Sequence, residues 1–116
     1  MSTYNGYFQV TNNTGGAITN VTASHVASGQ TTTYLPPCNL ANGTSSQSIA
    51  LSAETSSKDR WSLSFIQADG QVVTGNENCG FESEDNGLTV VINLSPEDFD
   101  INMPASRSCV DNDYNG

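Results

Sequence analysis

Apolar and polar residues alternate along most of this chain, which is the period-two pattern of strands that bury one face. The clearest stripe places Leu88, Val90, Ile92 and Leu94 on one side of a predicted strand. Charge is scarce in these stripes, and β-branched residues are common, as a pleated surface favours. The predicted strands are Tyr7–Thr11, Ala17–Val26, Gln47–Ala53, Arg60–Gln67, Gln71–Thr74, Cys79–Glu82 and Leu88–Leu94. A short edge strand at Thr32–Leu35 and a last strand at Phe99–Met103 are further candidates.

Turn signals separate these stripes. The segment Asn12–Gly16 supplies residues that tolerate positive φ, and Asp69-Gly70 and Asn86-Gly87 are two-residue hairpin signals. Short strands with turns at this spacing predict an all-β fold: a single antiparallel β-sandwich of about seven or eight strands. One domain covers residues 1–116, with a polar C-terminal tail at 104–116.

Three segments depart from simple alternation. Ile18 and Val21 differ in parity, so a β-bulge is expected between them. Gly29–Ser46 has the composition of a loop around its short edge strand. Ser95–Asp98 has the N-cap serine and first-turn proline of a single helical turn.

The charge balance of the chain limits the classes of partner that it can bind. Lys58, Arg60 and Arg107 are the only basic residues against 12 acidic ones, for a formal net charge of −9. Nucleic acid and anionic membranes are excluded as partners because both require clustered Lys and Arg. No apolar run is long enough for a transmembrane segment, and the N-terminus lacks a signal-peptide pattern, so synthesis in the cytosol is expected.

The chain resembles a family of small β-sandwich domains named for nematode proteins up-regulated in long-lived insulin-signalling mutants. The resemblance rests on Val10–Val26, on Arg60–Phe65 followed by Asp69-Gly70, on Asn78–Phe81, and on the Ser-x-Ser-Cys ending at Ser106–Cys109. It implies a compact two-sheet sandwich, distantly similar to fungal aegerolysins, without a known catalytic site. Cys38, within Leu-Pro-Pro-Cys, departs from the family pattern.

Cys38, Cys79 and Cys109 leave two interpretations open. All three cysteines are buried as small hydrophobic residues, or two of them pair within the chain. The most plausible pair is Cys79 with Cys109, which would attach the C-terminal tail to a strand. The remaining cysteine would then be available for an intermolecular bridge.

Sequence offers little for catalysis. His25 is the only histidine and fits a hydrogen-bonded structural role better than that of a base, since no partnered nucleophile accompanies it. Zinc is disfavoured because no Cys-x-x-Cys spacing occurs. Acidic groups near the loops permit Ca²⁺, but a solvated acidic surface is the preferred interpretation. Those groups are Glu82, Glu84 and Asp85; Glu97, Asp98 and Asp100; and Asp111, Asn112 and Asp113.

We therefore expect a non-enzymatic protein, for which two functions remain. The first is a self-associating structural or storage protein, a homo-oligomer or larger assembly with disulfide links between copies. Its basis is the odd number of cysteines and the single lysine, since lysine commonly protects strand edges. The alternative is a module that binds a glycan or lipid headgroup. Its candidate binding residues lie in predicted loops and in the tail: Tyr34, Asn39, Asn42, Asp111 and Tyr114.

Overall fold

The computed structural model describes residues 3–27, 32–54, 59–111 and 114. The fold is all-β, with two sheets packed face to face, which confirms the predicted sandwich. The described residues form nine strands: β1 (Thr3–Asn12), β2 (Ile18–Ala27), β3 (Thr33–Leu40), β4 (Ile49–Glu54), β5 (Asp59–Ile66), β6 (Val72–Asn78), β7 (Thr89–Leu94), β8 (Phe99–Asn102) and β9 (Cys109–Asp111). A single turn of 3-10 helix, Ser83–Asp85, lies between β6 and β7.

The two sheets divide the chain unevenly. One has five strands in the order β4-β1-β7-β8-β9, and the other has four in the order β3-β2-β5-β6. All neighbours are antiparallel except β1 and β7, which run parallel with Tyr7 beside Thr89 and Asn12 beside Leu94. The expectation of a purely antiparallel sandwich is therefore wrong for this pair, because β7 reaches β1 by crossing from the opposite sheet.

The core follows the alternation that the sequence predicts. Trp61, Leu63 and Phe65 on β5 point between the sheets and face Phe8 and Val10 on β1, all of them 6% exposed or less. The rings of Phe8 and Trp61 meet edge to face with centroids 5.8 Å apart. Trp61 thus belongs to the core, as its parity with Leu63 and Phe65 predicts, and the serines between these residues face outward.

Two predicted hairpins are connections between sheets instead. The Asn12–Gly16 segment joins β1 of the first sheet to β2 of the second, with Gly15 at φ 96°. Asn12 is buried at its start and donates from Nδ2 to the carbonyls of Gly16 (2.8 Å) and Leu40 (3.0 Å). Asn86-Gly87 likewise connects the 3-10 turn to β7, although Gly87 has the positive φ (80°) that its turn chemistry predicts.

Other local predictions have mixed outcomes. The bulge between Ile18 and Val21 is confirmed by a shift of the β2–β3 register there, with Asn20 at φ 51°. The Asp69-Gly70 hairpin between β5 and β6 is also confirmed. The helical turn at Ser95–Asp98 is wrong, because Ser95 N donates to Asp98 O (2.9 Å) and closes the β7–β8 hairpin.

Two segments have a different secondary structure from the one that the sequence predicts. The loop predicted over Gly29–Ser46 is largely strand β3, an edge strand that tolerates Pro36 and Pro37 because one of its sides is not hydrogen-bonded to another strand. The part of that prediction at 29–31 lies outside the described residues. The strand predicted at Cys79–Glu82 does not form, because Cys79 and Phe81 both donate backbone hydrogen bonds to Asp59 after β6 has ended. No helix among the described residues is long and apolar enough to cross a membrane.

Candidate functional site

The predicted binding residues Asn39 and Asn42 stabilise the backbone around β2. Asn39 Oδ1 accepts from the backbone N–H of Asn20 (3.1 Å) and so supports the bulge in β2. Asn42 Oδ1 accepts from the backbone N–H of Gly15 (2.9 Å). Because both carbonyl oxygens already hold turns in place, these asparagines have a structural role in the fold.

Tyr114, a predicted binding residue in the tail, packs its ring against the core. Its ring lies 5.6 Å from that of Phe65 and 5.5 Å from that of Phe99, between centroids. Its hydroxyl hydrogen bonds to the carbonyls of Ser95 (2.8 Å) and Asp98 (2.6 Å). Burial, together with the nearby negative charge of Asp98, raises the pKa of Tyr114 well above its ordinary value. Tyr114 therefore anchors the C-terminal tail to the β7–β8 turn.

Tyr34 differs from the other candidates because it is 68% exposed. It lies on the outward side of β3, and the strand register aligns it with one residue on each of the next three strands. Tyr34 pairs with Ser24, Ser24 pairs with Ser62, and Ser62 pairs with Asn76. With a strand spacing of about 4.8 Å, this row is about 14 Å long.

A second row runs beside the first. Thr22 pairs with Ser64, and Ser64 pairs with Thr74. We call the outward side of the four-stranded sheet formed by these two rows the hydroxyl face; its members are Tyr34, Ser24, Ser62, Asn76, Thr22, Ser64 and Thr74.

The hydroxyl face contains a shallow open groove of about 360 Å³. Tyr34, Pro36 and Pro37 form its apolar side, and the hydroxyls of β2 and β5 line the rest. Ser62 Oγ also donates to Asn76 Oδ1 (2.8 Å), which orients the amide at the far end of the first row. An aromatic ring beside ordered hydroxyl and amide groups can contact a ligand that has both C–H surfaces and hydroxyls.

Negative charge is excluded from the hydroxyl face. The acidic residues within its four strands are Asp59, which is buried, and Glu77, which alternates with the outward residues Asn76 and Asn78. The outward charged residue on these strands is Arg60, on β5. In a chain of net charge −9 this face is therefore locally the least negative sheet surface on which a ligand could lie.

The cysteines follow the paired interpretation. Cys79 and Cys109 form a disulfide that joins the segment after β6 to β9. Cys38 is free and half-buried on the edge strand β3. Burial raises the pKa of the Cys38 thiol above its ordinary value of 9.0, so the reactive thiolate is scarce at neutral pH. The intermolecular bridge that the sequence suggested for the remaining cysteine stays a prediction.

His25 and Asp59 form a fully buried pair beside Trp61. His25 Nε2 contacts Asp59 Oδ2, and the imidazole lies 4.5 Å from the Trp61 ring between centroids. Asp59 Oδ1 accepts from Phe81 N (3.1 Å), and Trp61 Nε1 donates to the Cys79 carbonyl (2.8 Å). These contacts close one end of the core, and the exposed fraction of the His25 side chain is 0%. The geometry supports the structural role expected for His25.

Asp85 joins the 3-10 turn to the segment after β8, a role that sequence reasoning missed. Its carboxylate accepts from the backbone N–H groups of Glu82 (2.9 Å), Ala105 (3.0 Å) and Ser106 (2.9 Å), and from the Ser106 hydroxyl. Burial by itself raises the pKa of Asp85, but these hydrogen bonds outweigh it and hold the pKa below the ordinary 3.8. The only sequence signal was an acid near a turn, which does not reveal donors that lie 20 residues away.

We expect Asp85→Asn to lower the free energy of unfolding by about 1–3 kcal/mol near neutral pH, because an amide offers one acceptor oxygen where the carboxylate offers two. The depressed pKa adds stability at pH values above about 3.8, and this stability is lost as the pH falls through the lower folded-state pKa. Urea unfolding between pH 2 and 7 should therefore show a flatter acid limb for Asp85→Asn than for wild type. Glu84→Gln, an exposed neighbour, is the control; equal curves for the two variants would contradict this role.

The described members of the acidic groups considered for Ca²⁺ do not converge on one point. Within the described ranges, no group of three or more His, Cys, Asp or Glu side chains is arranged to hold a metal ion. Asp85 is committed to the donors described above, and Asp111 lies half-buried on β9. Asn112 and Asp113 of the third predicted group lie outside the described residues.

Comparisons with known proteins add no family to this description. No family model matches the chain, and no curated protein matches it. The resemblance to the nematode-named sandwich domains therefore stays a prediction.

Proposed function

We propose that this protein is a non-enzymatic binding module that takes a saccharide on its hydroxyl face. The observation that carries the proposal is the row of Tyr34, Ser24, Ser62 and Asn76 across four adjacent strands. These residues sit on a rigid sheet, so their relative positions are fixed before a ligand arrives, which reduces the entropic cost of binding.

Saccharide chemistry fits both halves of the groove. One face of a pyranose ring presents C–H groups that pack on an aromatic surface, and Tyr34 with Pro36 and Pro37 offers such a surface. The ring hydroxyls both donate and accept hydrogen bonds, as do Ser24, Ser62 and Ser64. A row of about 14 Å accommodates roughly three linked sugar units at about 4.8 Å per strand step.

The test is a glycan array read with Ca²⁺ and again with EDTA, followed by calorimetry on the saccharides retained. We expect binding that does not depend on Ca²⁺. Tyr34→Ala should weaken it about tenfold, or ~1.4 kcal/mol, because an aromatic anchor commonly carries much of such an interface. Tyr34 is 68% exposed, so this variant should fold normally.

Tyr7→Ala is the matched control, since Tyr7 is also exposed (45%) but lies on β1 of the opposite sheet. It should bind as wild type does. An array without retained saccharides, or equal losses for the two tyrosine variants, would contradict the proposal. Retention on phosphatidylcholine vesicles without any glycan binding would assign the groove to a lipid headgroup instead.

Self-association is the second candidate, favoured by three exposed apolar residues on the outward side of this same sheet. Val26 is 38% exposed, Tyr34 68% and Val72 57%, and a second copy laid against this surface would bury them. Sedimentation equilibrium over a hundredfold concentration range distinguishes the candidates. The binding module should stay monomeric with and without reductant, whereas a mass that rises with concentration and falls in Tyr34→Ala supports self-association.

A further inference from the structure

Arg60 lies beside the first row of the hydroxyl face. It is exposed on β5, two residues before Ser62, which places it about 6.8 Å along the strand from that row. Its register neighbours are Val26 and Asn78, which carry no charge. Among the described residues Arg60 makes no ion pair and no hydrogen bond of its side chain, although the chain contains 12 acidic residues.

Arg107, the other described arginine, also makes no ion pair with the described residues, so what distinguishes Arg60 is its position beside the groove. Here the strand alternation turns Asp59 and Glu77 toward the interior side of the sheet, away from Arg60. The guanidinium therefore presents its planar set of donors next to the groove, where a carboxylate of a ligand can accept two parallel hydrogen bonds.

We infer that the saccharide bound on the hydroxyl face carries a carboxylate and that Arg60 is the residue that selects it. This inference rests on the proposed saccharide function. The sugar ring lies along the row from Tyr34 to Ser62, and its carboxylate extends along β5 to Arg60. The ligand then meets the positive charge of Arg60 on the side of this sheet from which Asp59 and Glu77 are turned away.

Because the protein has a net charge of −9, its affinity for an acidic saccharide should depend on ionic strength. At low ionic strength the remaining acidic surface repels an anion over distances up to the Debye length, which is about 10 Å at 0.1 M salt. Contact with Arg60 is short-ranged and survives moderate salt better than that repulsion does. Added salt up to about 0.15 M should therefore cost an acidic saccharide little affinity.

The experiment compares trigalacturonate with its methyl ester, which is the same trisaccharide without charge, by calorimetry at 0.15 M salt. 3′-Sialyllactose and lactose form a second pair that distinguishes a sialic acid from a uronic acid as the source of the carboxylate. We expect at least one acid to bind about two- to fivefold tighter than its neutral partner, the range for one well-placed exposed ion pair. Arg60→Gln should remove this preference and leave the affinity for the neutral partner unchanged.

Arg107→Gln is the control, since it removes the same charge from an exposed arginine next to Cys109 and away from the groove. It should keep the preference. If acidic and neutral saccharides bind wild type equally, or if Arg60→Gln retains the preference, the inference fails while the binding function stands. If none of the four saccharides and no array glycan binds, both the inference and the proposed function fail.

Discussion

We expect Asp59→Asn to lower the free energy of unfolding by roughly 3 kcal/mol, because it replaces a buried carboxylate that both His25 and Phe81 contact and leaves buried polar groups unsatisfied. Asp59 is 1% exposed; it pairs with His25 Nε2 and accepts a hydrogen bond from Phe81 N. An asparagine keeps the size but loses the charge and one acceptor, so His25 is left buried without its partner. Because Phe81 N donates to the Asp59 carboxylate itself, the loss should extend to the segment that follows β6.

Chemical unfolding monitored by Trp61 fluorescence measures this directly, since Trp61 packs against His25. Asp69→Asn is the matched control: the same substitution in the exposed β5–β6 turn should change stability by no more than about 0.5 kcal/mol. If the two variants lost equal stability, the buried pair would have no special role.

The second large effect concerns the disulfide between Cys79 and Cys109. We expect Cys79→Ala/Cys109→Ala to lower the free energy of unfolding by about 3–4 kcal/mol, because a link across 30 residues restricts the unfolded chain. The loss should be largest locally, since β9 pairs with β8 at three register positions only. Hydrogen exchange should then show β9 amides opening well before those of β1 and β7.

Cys38→Ala provides the comparison within the same chain. Cys38 is half-buried and unpaired, so its replacement should cost no more than about 1 kcal/mol. Adding a reductant to wild type should reproduce the double variant and leave Cys38→Ala/Cys79→Ala/Cys109→Ala unaffected. If the free energy of unfolding of the wild type is the same with and without reductant, the structural role of the disulfide is contradicted.

The sequence predicted the sandwich because the fold depends on local alternation. The stripes around Trp61 and Ile92 each bury one face of a strand, and the local sequence is sufficient to predict both strands. The Cys79–Cys109 pair was also accessible, since a cysteine in a polar tail has few other ways to be buried. The parallel pairing of β1 with β7 was not accessible, because no local pattern determines which strands become neighbours across 80 residues.

The turns show where local reasoning reaches its limit. Positive φ was predicted correctly in kind at Asn12–Gly16 and at Asn86-Gly87, yet both segments connect different sheets. The deciding contacts are distant: Asn12 bonds to Leu40, and Gly87 N donates to Asn5 O (2.6 Å). The residue type at a turn indicates the backbone conformation there, but it does not indicate which strands the turn connects.

The candidate site was predictable only in part. Tyr34 was correctly expected to be exposed, whereas Asn39 and Asn42 satisfy backbone groups of their neighbours. Ser24 and Ser62 have no distinguishing sequence signal, because serine is common on the polar side of a strand. Their importance arises from the register that aligns them with Tyr34, and that register is a property of the assembled sheet.

The measurement that tests the central claim most directly is an NMR titration of the ¹⁵N-labelled protein with trigalacturonate and, separately, with its methyl ester. A binding site on the hydroxyl face predicts saturable shift changes at the backbone amides of Tyr34, Ser24, Ser62 and Asn76 for at least one of these probes, with the amides of the opposite sheet unchanged. Changes confined to the opposite sheet or to the loops around Asn42 would contradict a binding site on the hydroxyl face.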